Sequence, residues 1–122
     1  MNPETALRRR DQRLRKRILQ VMDAAKVRPE SGWMTGRFVY DVVDGALPGG
    51  QQFDSDDHFA ALMRDLVGSG YAEERDDRAY RWQRQSIDLT SYRVTPKGTA
   101  LVIEELPIDP LVEDERRRQE TR

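Results

Sequence analysis

The sequence contains no cysteine and a single histidine, His58. Disulfides and thiolate metal sites are therefore excluded, as are sites built from several histidines. A chain without cysteine is expected in the cytoplasm, where disulfides rarely persist. No stretch approaches the roughly 20 apolar residues of a membrane-spanning helix, and the N-terminus lacks the apolar segment of a signal peptide. We therefore expect a cytoplasmic protein with no membrane partner.

Motifs that support catalysis are also lacking. No serine has an evident activating base, and the Gly-rich stretch 44–53 lacks the Gly-Lys-Ser/Thr ending of a phosphate-binding loop. The acidic stretch from Asp54 to His58 does not have the spacing of a calcium loop. We expect a protein that is not an enzyme and that needs no cofactor and no metal.

The chain is very polar, because charged residues make up 35% of it and hydrophobic residues only 37%. With 122 residues, such a chain can build one modest core, mainly from amphipathic helices with solvated faces. The net charge of −1 conceals a strong asymmetry: residues 1–28 carry nine Arg or Lys against three Asp or Glu, and residues 29–75 carry three against nine. The chain therefore alternates between basic and acidic parts.

Helical periodicity predicts a long first helix over residues 4–26. The stretch from Pro29 to Gly32 ends it, and Trp33 and Met34 form either a very short strand or a core plug. A second helix is capped by Thr35 and runs to about residue 43. The apolar residues expected to face the core from these two helices are Leu7, Leu14, Ile18, Val21, Met22, Ala25, Phe38, Val39, Val42 and Val43.

A long loop over 44–53 leads to the clearest amphipathic pattern in the chain. Either Ser55 or Asp54 caps this third helix, which closes at Gly68 and Gly70. Its inward positions follow the i, i+3, i+4, i+7, i+8 pattern and are Phe59, Leu62, Met63, Leu66 and Val67.

From Tyr71 the apolar period changes to two. Strands are predicted over 71–75, 79–84 and 92–94, with the aromatic pair Tyr80 and Trp82 on one face of the second. Thr95 then caps a fourth helix that starts at Pro96, exposes Lys97 and Gly98 in its first turn, and runs to about residue 105 or 106.

Two motifs, LVGSGYAEER over 66–75 and YRVTPKG over 92–98, resemble the winged helix-turn-helix family, in particular bacterial and phage regulators of the MarR and PadR types. In that family a Gly-ended third helix leads into the first wing strand, and the return strand passes into a Thr-Pro-Lys-Gly helix start. The resemblance covers about residues 14–106. It implies an α+β, mostly α winged helix, with a three-helix core, a two- or three-stranded antiparallel wing sheet and a C-terminal helix. Residues 1–13 would be a basic helical extension and residues 107–122 a charged tail or short helix.

The resemblance further implies a DNA-binding module, usually a homodimer, with the third helix in the major groove and the wing on the backbone or minor groove. On the third helix, His58 and Arg64 are the outward candidates for DNA contact. Three carboxylates at its start oppose groove entry, because they repel phosphate. These acids also suit the simpler role of capping the helix and complementing its dipole.

The wing offers more positive charge than the third helix. Its candidate DNA-binding residues are Arg75, Arg78, Arg81, Arg84 and Arg93. Alternatively, Tyr80 and Trp82 pack on the core while these arginines merely solvate an edge strand. Further candidate phosphate contacts are Arg13, Lys16, Arg17 and Arg37, although the basic N-terminal cluster also suits a solvated helix face or a dimer contact with the acidic C-terminal segment.

These observations favour a winged-helix protein that binds double-stranded DNA as a transcriptional regulator. The acid-rich third helix leaves a second interpretation open. In it, the scaffold is a non-catalytic protein-interaction or assembly module, encoded by a phage or mobile element, and its partner is another protein.

Overall fold

The computed structural model describes residues 2–26, 32–104, 106–107 and 109–112. Within these residues the order of elements is α1 (Pro3–Ala25), β1 (Met34–Thr35), α2 (Gly36–Ala46), α3 (Asp56–Gly68), β2 (Ala72–Asp76), β3 (Thr90–Val94) and α4 (Pro96–Val102). The expected α+β class with predominant helix is confirmed. The predicted helix break at Pro29 and Ser31 and the tail beyond residue 112 lie outside the described residues.

Side-chain oxygens cap the start of each of these helices. Thr35 accepts a hydrogen bond from the Phe38 amide, and Thr95 accepts one from the Gly98 amide. At α3 the cap is Ser55, which accepts from the His58 amide at 3.1 Å. Each cap satisfies a backbone donor that has no partner inside the helix. The predicted caps of α2 and α4 are confirmed, and Ser55 rather than Asp54 caps α3.

The core lies where α1, α2 and α3 meet the sheet, and most predicted inward residues reach it. Leu7, Phe38 and Val42 do not: they are 52%, 41% and 37% exposed. On α2, the neighbouring Val39 and Val43 are fully buried. The apolar stripe of α2 is therefore wider than the surface it packs against, and its outer edge faces solvent.

The three strands form one antiparallel sheet in the order β1-β3-β2. Met34 pairs with Tyr92 in β3, so the Trp33 and Met34 stretch leads into a strand and is not a core plug. On the other side of β3, Ala72 pairs with Val94 and Asp76 with Thr90. As the central strand, β3 is buried at four of its five residues.

The predicted strand over 79–84 is wrong. Residues 77–89 form a looped connection between β2 and β3, closed at its base by a 2.8 Å hydrogen bond from the Asp77 amide to the Leu89 carbonyl. The alternation of Tyr80 and Trp82 in the sequence does not reflect a strand face, because their rings stack on each other outside the sheet. The interpretation in which they pack on the core is also wrong.

The start of α4 differs from expectation at one residue. Lys97 is exposed as predicted, but Gly98 is buried beneath the start of β2. A Cβ atom at Gly98 would lie 2.2 Å from the Tyr71 carbonyl oxygen. The glycine is therefore required by a close approach of two backbones. The helix ends at Val102, earlier than predicted, and Glu104 has a positive φ of 62° just beyond it.

None of the described helices combines the length and the apolar composition that a membrane-spanning segment requires.

Candidate nucleic-acid interface

The wing consists of β2, β3 and the connection 77–89, and at its base two of the predicted arginines contact the ring of Trp33. The guanidinium carbons of Arg75 and Arg93 lie 4.8 and 4.6 Å from the centroid of its ring. Arg75 Nε also donates to Asp77 at 2.7 Å, and Arg93 donates to Glu73, its cross-strand partner, at 3.1 Å. Both cations are thus engaged in cation–π contacts and ion pairs within the chain.

Arg78 is held just as firmly. Its guanidinium donates to Asp76 at 2.9 Å and to the Gln83 carbonyl at 2.9 Å. Hydrogen bonds from Arg78 keep the pKa of Asp76 below its ordinary value, and the same pair raises the pKa of Arg78. A hydrogen bond from the Ser91 hydroxyl, assisted by Arg75, lowers the pKa of Asp77. These carboxylates therefore remain ionised at neutral pH and neutralise the arginines beside them.

The tip of the wing is different. Arg81 and Arg84 are exposed and make no ion pair or hydrogen bond to any part of the chain that the structure describes. Beside them, Tyr80 and Trp82 are 59% and 81% exposed, and their rings stack at 5.5 Å between centroids with 13° between planes. The tip therefore combines two free guanidinium groups with two open aromatic faces.

A cleft of about 720 Å³ separates α3 from the wing. Arg64 and Arg84 line it from opposite sides, and the acids Asp56, Asp57 and Glu74 share its walls. Asp56 is neutralised by Arg37, whose guanidinium donates to it at 2.6 Å and to Asp88 at 3.0 Å. Those two bonds, the one to Asp88 first, raise the pKa of Arg37. Arg37 therefore acts within the fold, as a clamp between α2, α3 and the wing.

His58 is turned away from this cleft toward α1. Its Nδ1 accepts from the Asp54 amide at 3.0 Å, and its Nε2 lies 2.9 Å from Asp11 Oδ1. Asp54 in turn binds Arg10 through two hydrogen bonds of 2.9 and 3.1 Å, which lower its pKa. The orientation of His58 differs from the expected outward one, because these polar partners on α1 and at the start of α3 hold the ring.

The acids at the start of α3 thus have partners of their own. Asp54 binds Arg10 and Asp56 binds Arg37, while Asp57 stays exposed in the first turn, where a negative charge complements the helix dipole. Within the described residues, no group of three acidic or histidine side chains is placed to hold a metal ion.

A second basic region lies along α1. A groove of about 550 Å³ runs between α1, the loop after α2 and the end of α4, and it is lined by Arg10, Arg13, Lys16 and Arg17 with Glu104 as the acid. Lys16 Nζ lies 3.5 Å from Glu104, whereas no ion pair involving Arg13 or Arg17 occurs in the described ranges. The groove and the α3–wing cleft share no lining residue.

The structure therefore divides the predicted site residues into three groups. Arg75, Arg78, Arg93, Arg37 and His58 are bound to partners inside the fold. Arg64 and Arg84 are free on the walls of the α3–wing cleft, and Arg81 is free at the wing tip. Arg13, Lys16 and Arg17 lie together in the α1 groove. The neutralising acids Asp76, Asp77 and Glu73 were missed by reasoning from the sequence. Their signal was present, because Asp76 and Asp77 each stand two residues from the arginine they bind.

Comparison with family models and with curated protein sequences gave no match. Among solved structures, the chain is similar to the PadR of Bacillus subtilis in its crystal structure with operator DNA, with a TM-score of 0.50 and 15% sequence identity. The match covers 88% of this chain and 56% of the PadR chain. At this identity the likeness concerns the fold, and it confirms the expected PadR-like winged helix. The MarR likeness and the phage origin stay predictions.

Proposed function

We propose that this protein is a non-catalytic transcriptional regulator that binds double-stranded DNA through the tip of its wing and the exposed face of α3. The observation that carries the proposal is that Arg64 and Arg84, two guanidinium groups without an internal acid, line one cleft from α3 and from the wing, and that Arg81 is equally free on the wing. Binding to phosphate would break no existing ion pair at these residues, whereas Arg75, Arg78 and Arg93 would have to leave theirs.

The acids that line the cleft determine how much the wing and α3 each contribute to DNA affinity. Asp57 and Glu74 are exposed in the described structure and repel phosphate, whereas Asp56 is neutralised by Arg37. Most of the affinity would therefore come from the wing tip, with α3 contributing Arg64. An aspartate at a helix start can accept from the cytosine amino group, so Asp57 would act on sequence preference more than on affinity.

The PadR structure supports the proposal because that protein is seen on operator DNA with a similar fold. The match spans 56% of the PadR chain. The activity and the oligomeric state of the present chain are therefore proposed from its own residues and not taken from PadR. We extend the proposal to a homodimer, with Arg13, Lys16 and Arg17 of the α1 groove as secondary phosphate contacts. Light scattering tests the dimer directly, and a monomer at micromolar concentration would contradict it.

DNA binding is tested with labelled random and genomic duplexes at several salt concentrations, and fluorescence anisotropy measures the affinity at each concentration. Replacing Arg81 and Arg84 together by Gln should lower the salt slope by about 1.8, since each phosphate neutralised contributes about 0.9. The matched control replaces Arg8 and Arg9 by Gln, because both are exposed and the change in net charge is the same. The same substitutions at Arg13 and Arg17 measure the share of the α1 groove.

The result expected is binding of the native protein at low salt, a marked loss in the wing-tip variant and a minor one in the Arg8 and Arg9 control. Absence of any binding at low salt would overturn the proposal. An equal loss in the two variants would show that affinity follows net charge and does not depend on the wing tip.

A second candidate function is a protein-interaction module. The specific observation in its favour is the exposed apolar edge of α2, where Phe38 and Val42 lie one helical turn apart with Asp41 beside them. A pull-down from the source cell separates the two functions. One stoichiometric protein that is recovered equally after nuclease treatment, and lost when Phe38 is replaced by Ser, would favour the module.

A further inference from the structure

The wing tip presents more aromatic surface to solvent than any other described part of the chain. Trp82 and Tyr80 are 81% and 59% exposed, whereas the other tryptophan, Trp33, is half-buried and contacts two guanidinium groups. Large aromatic side chains gain most from burial, so a tryptophan left this open is suited to contact with a partner. The nature of that partner follows from the surroundings of the ring.

The two rings are held in place by a bonded turn. The Tyr80 amide donates to Gln83 Oε1 at 3.1 Å, and the Gln83 amide donates back to the Tyr80 carbonyl at 3.1 Å. Arg78 ties this turn to the end of β2 through Asp76 and the Gln83 carbonyl. The aromatic pair is therefore preorganised, and less ordering is needed when it binds.

The charges beside the rings indicate the class of ligand. Arg81 stands between Tyr80 and Trp82 in the sequence and Arg84 follows two residues later, and both are free of acids in the described structure. A planar aromatic face beside free guanidinium groups offers stacking to a base and charge neutralisation to the adjoining phosphate. In a duplex, base faces are covered by their neighbours, so this combination suits a base that is not stacked in a helix.

We propose that the wing tip is a stacking platform for an unpaired nucleobase, with Trp82 as the platform and Arg81 and Arg84 holding the adjoining backbone. The protein then binds single-stranded DNA in addition to the duplex, or binds a single unstacked base of a duplex. The inference rests on the proposed function, since it assigns the wing to nucleic acid.

The geometry of the pair also indicates where the base stacks. Insertion of a base between Tyr80 and Trp82 requires a gap of about 7 Å, which is twice the 3.4 Å spacing of stacked bases. The rings lie only 5.5 Å apart between centroids and are nearly parallel. The base therefore stacks on the outer face of Trp82, and Tyr80 supports the indole from behind.

The first test compares two single strands of equal charge. One is an oligothymidylate of about twelve nucleotides, within the range of site sizes for single-strand binders. The other is the same backbone without bases. The native protein should bind the oligothymidylate at least about fivefold more tightly, because one stacked base contributes roughly 1 to 3 kcal/mol. Replacing Tyr80 and Trp82 by Ala should abolish this difference while binding of the abasic strand remains.

The second test uses fluorescence, since the chain has two tryptophans. In Trp33→Phe only Trp82 emits, and in Trp82→Phe only Trp33 emits. The oligothymidylate should quench the first variant strongly and leave the second almost unchanged. Circular dichroism of both variants verifies that they fold, and Trp82→Phe should retain part of the preference for bases, since a phenyl ring also stacks.

Each outcome decides between the two proposals. Equal affinity for the two single strands, or quenching confined to Trp33, overturns the stacking platform even if the duplex binds. Base-dependent quenching of Trp82 without duplex binding supports the platform and rejects the duplex regulator. Absence of binding to every nucleic acid tested rejects both proposals.

Discussion

The two tryptophans of this protein stand beside arginines at opposite ends of the wing, yet their surroundings differ completely. Trp33 lies at the base in contact with Arg75 and Arg93, each of which also binds an acid. Trp82 lies at the tip, open to solvent, beside Arg81 and Arg84. At the base, aromatic and guanidinium groups serve the fold; at the tip, the same two kinds of group are left for a partner.

The difference shows that a count of arginines does not measure the charge available for binding. Three of the five predicted wing arginines are neutralised by an acid that is two residues away or directly across the sheet. An exposed ion pair adds little stability, but it removes a cation from the external field. The available charge of the wing is thus concentrated at its tip.

The largest effect is expected where the base of the wing meets α4. Gly98→Ala should destabilise the protein by about 3 kcal/mol, because its Cβ would strike the Tyr71 backbone, which cannot rotate away as a side chain can. Urea denaturation measures the change. Gly45→Ala is the control, since nothing lies within 4 Å of its Cβ and alanine favours the helix by up to about 1 kcal/mol. Equal stability of the two variants would contradict the close approach.

The next largest effect is expected in the free energy of unfolding when each of the two tryptophans is replaced by alanine. Trp33→Ala should lower the free energy of unfolding by about 2 kcal/mol, since it removes two cation–π contacts together with half-buried apolar surface. Trp82→Ala, the same substitution at the tip, should stay within about 0.5 kcal/mol of the native protein. Thermal or urea unfolding measures both. If Trp82→Ala were the more damaging, the division between base and tip would be wrong.

The smallest effect is expected when the acid that neutralises a wing arginine is removed. Asp76→Asn should free Arg78, so the protein should bind duplex DNA more tightly, with a salt slope steeper by about 0.9. Anisotropy titrations at several salt concentrations measure this slope. Asp41→Asn is the control, because Asp41 is exposed and its side chain has no ion pair or hydrogen bond in the described structure. The same gain in both variants would mean that only net charge matters.

Reasoning from the sequence predicted the helices well because their apolar spacing is regular and their caps are local. The periodicity of α3 and the Thr95-Pro96 start of α4 depend on residues a few positions apart, so they are readable without a fold. The strand over 79–84 was predicted from alternating aromatic residues, but in the structure these residues belong to a turn. Alternation reports a strand only where a neighbouring strand pairs with it, and β3 pairs with β2 and β1 here.

Reasoning about the site reached the right residue types but could not sort them. The acid that pairs with Arg75, Asp77, is two residues away and was readable in the sequence, whereas Glu73 reaches Arg93 only across the sheet. His58 was expected outward because helical periodicity gives its angle but not the contents of the space beside it. Asp11, 47 residues earlier in the chain, occupies that space.

The sequence by itself determined where helices begin, which faces are apolar and that the chain turns from strand to helix at Thr95-Pro96, since these properties come from local backbone and side-chain preferences. Only the tertiary structure decided which distant acids pair with Arg37 and Arg93, that Gly98 is buried against Tyr71, and that Trp82 is left open while Trp33 contacts two guanidinium groups. Those outcomes depend on groups far apart in the chain, which are brought within a few ångströms only when the sheet and helices pack.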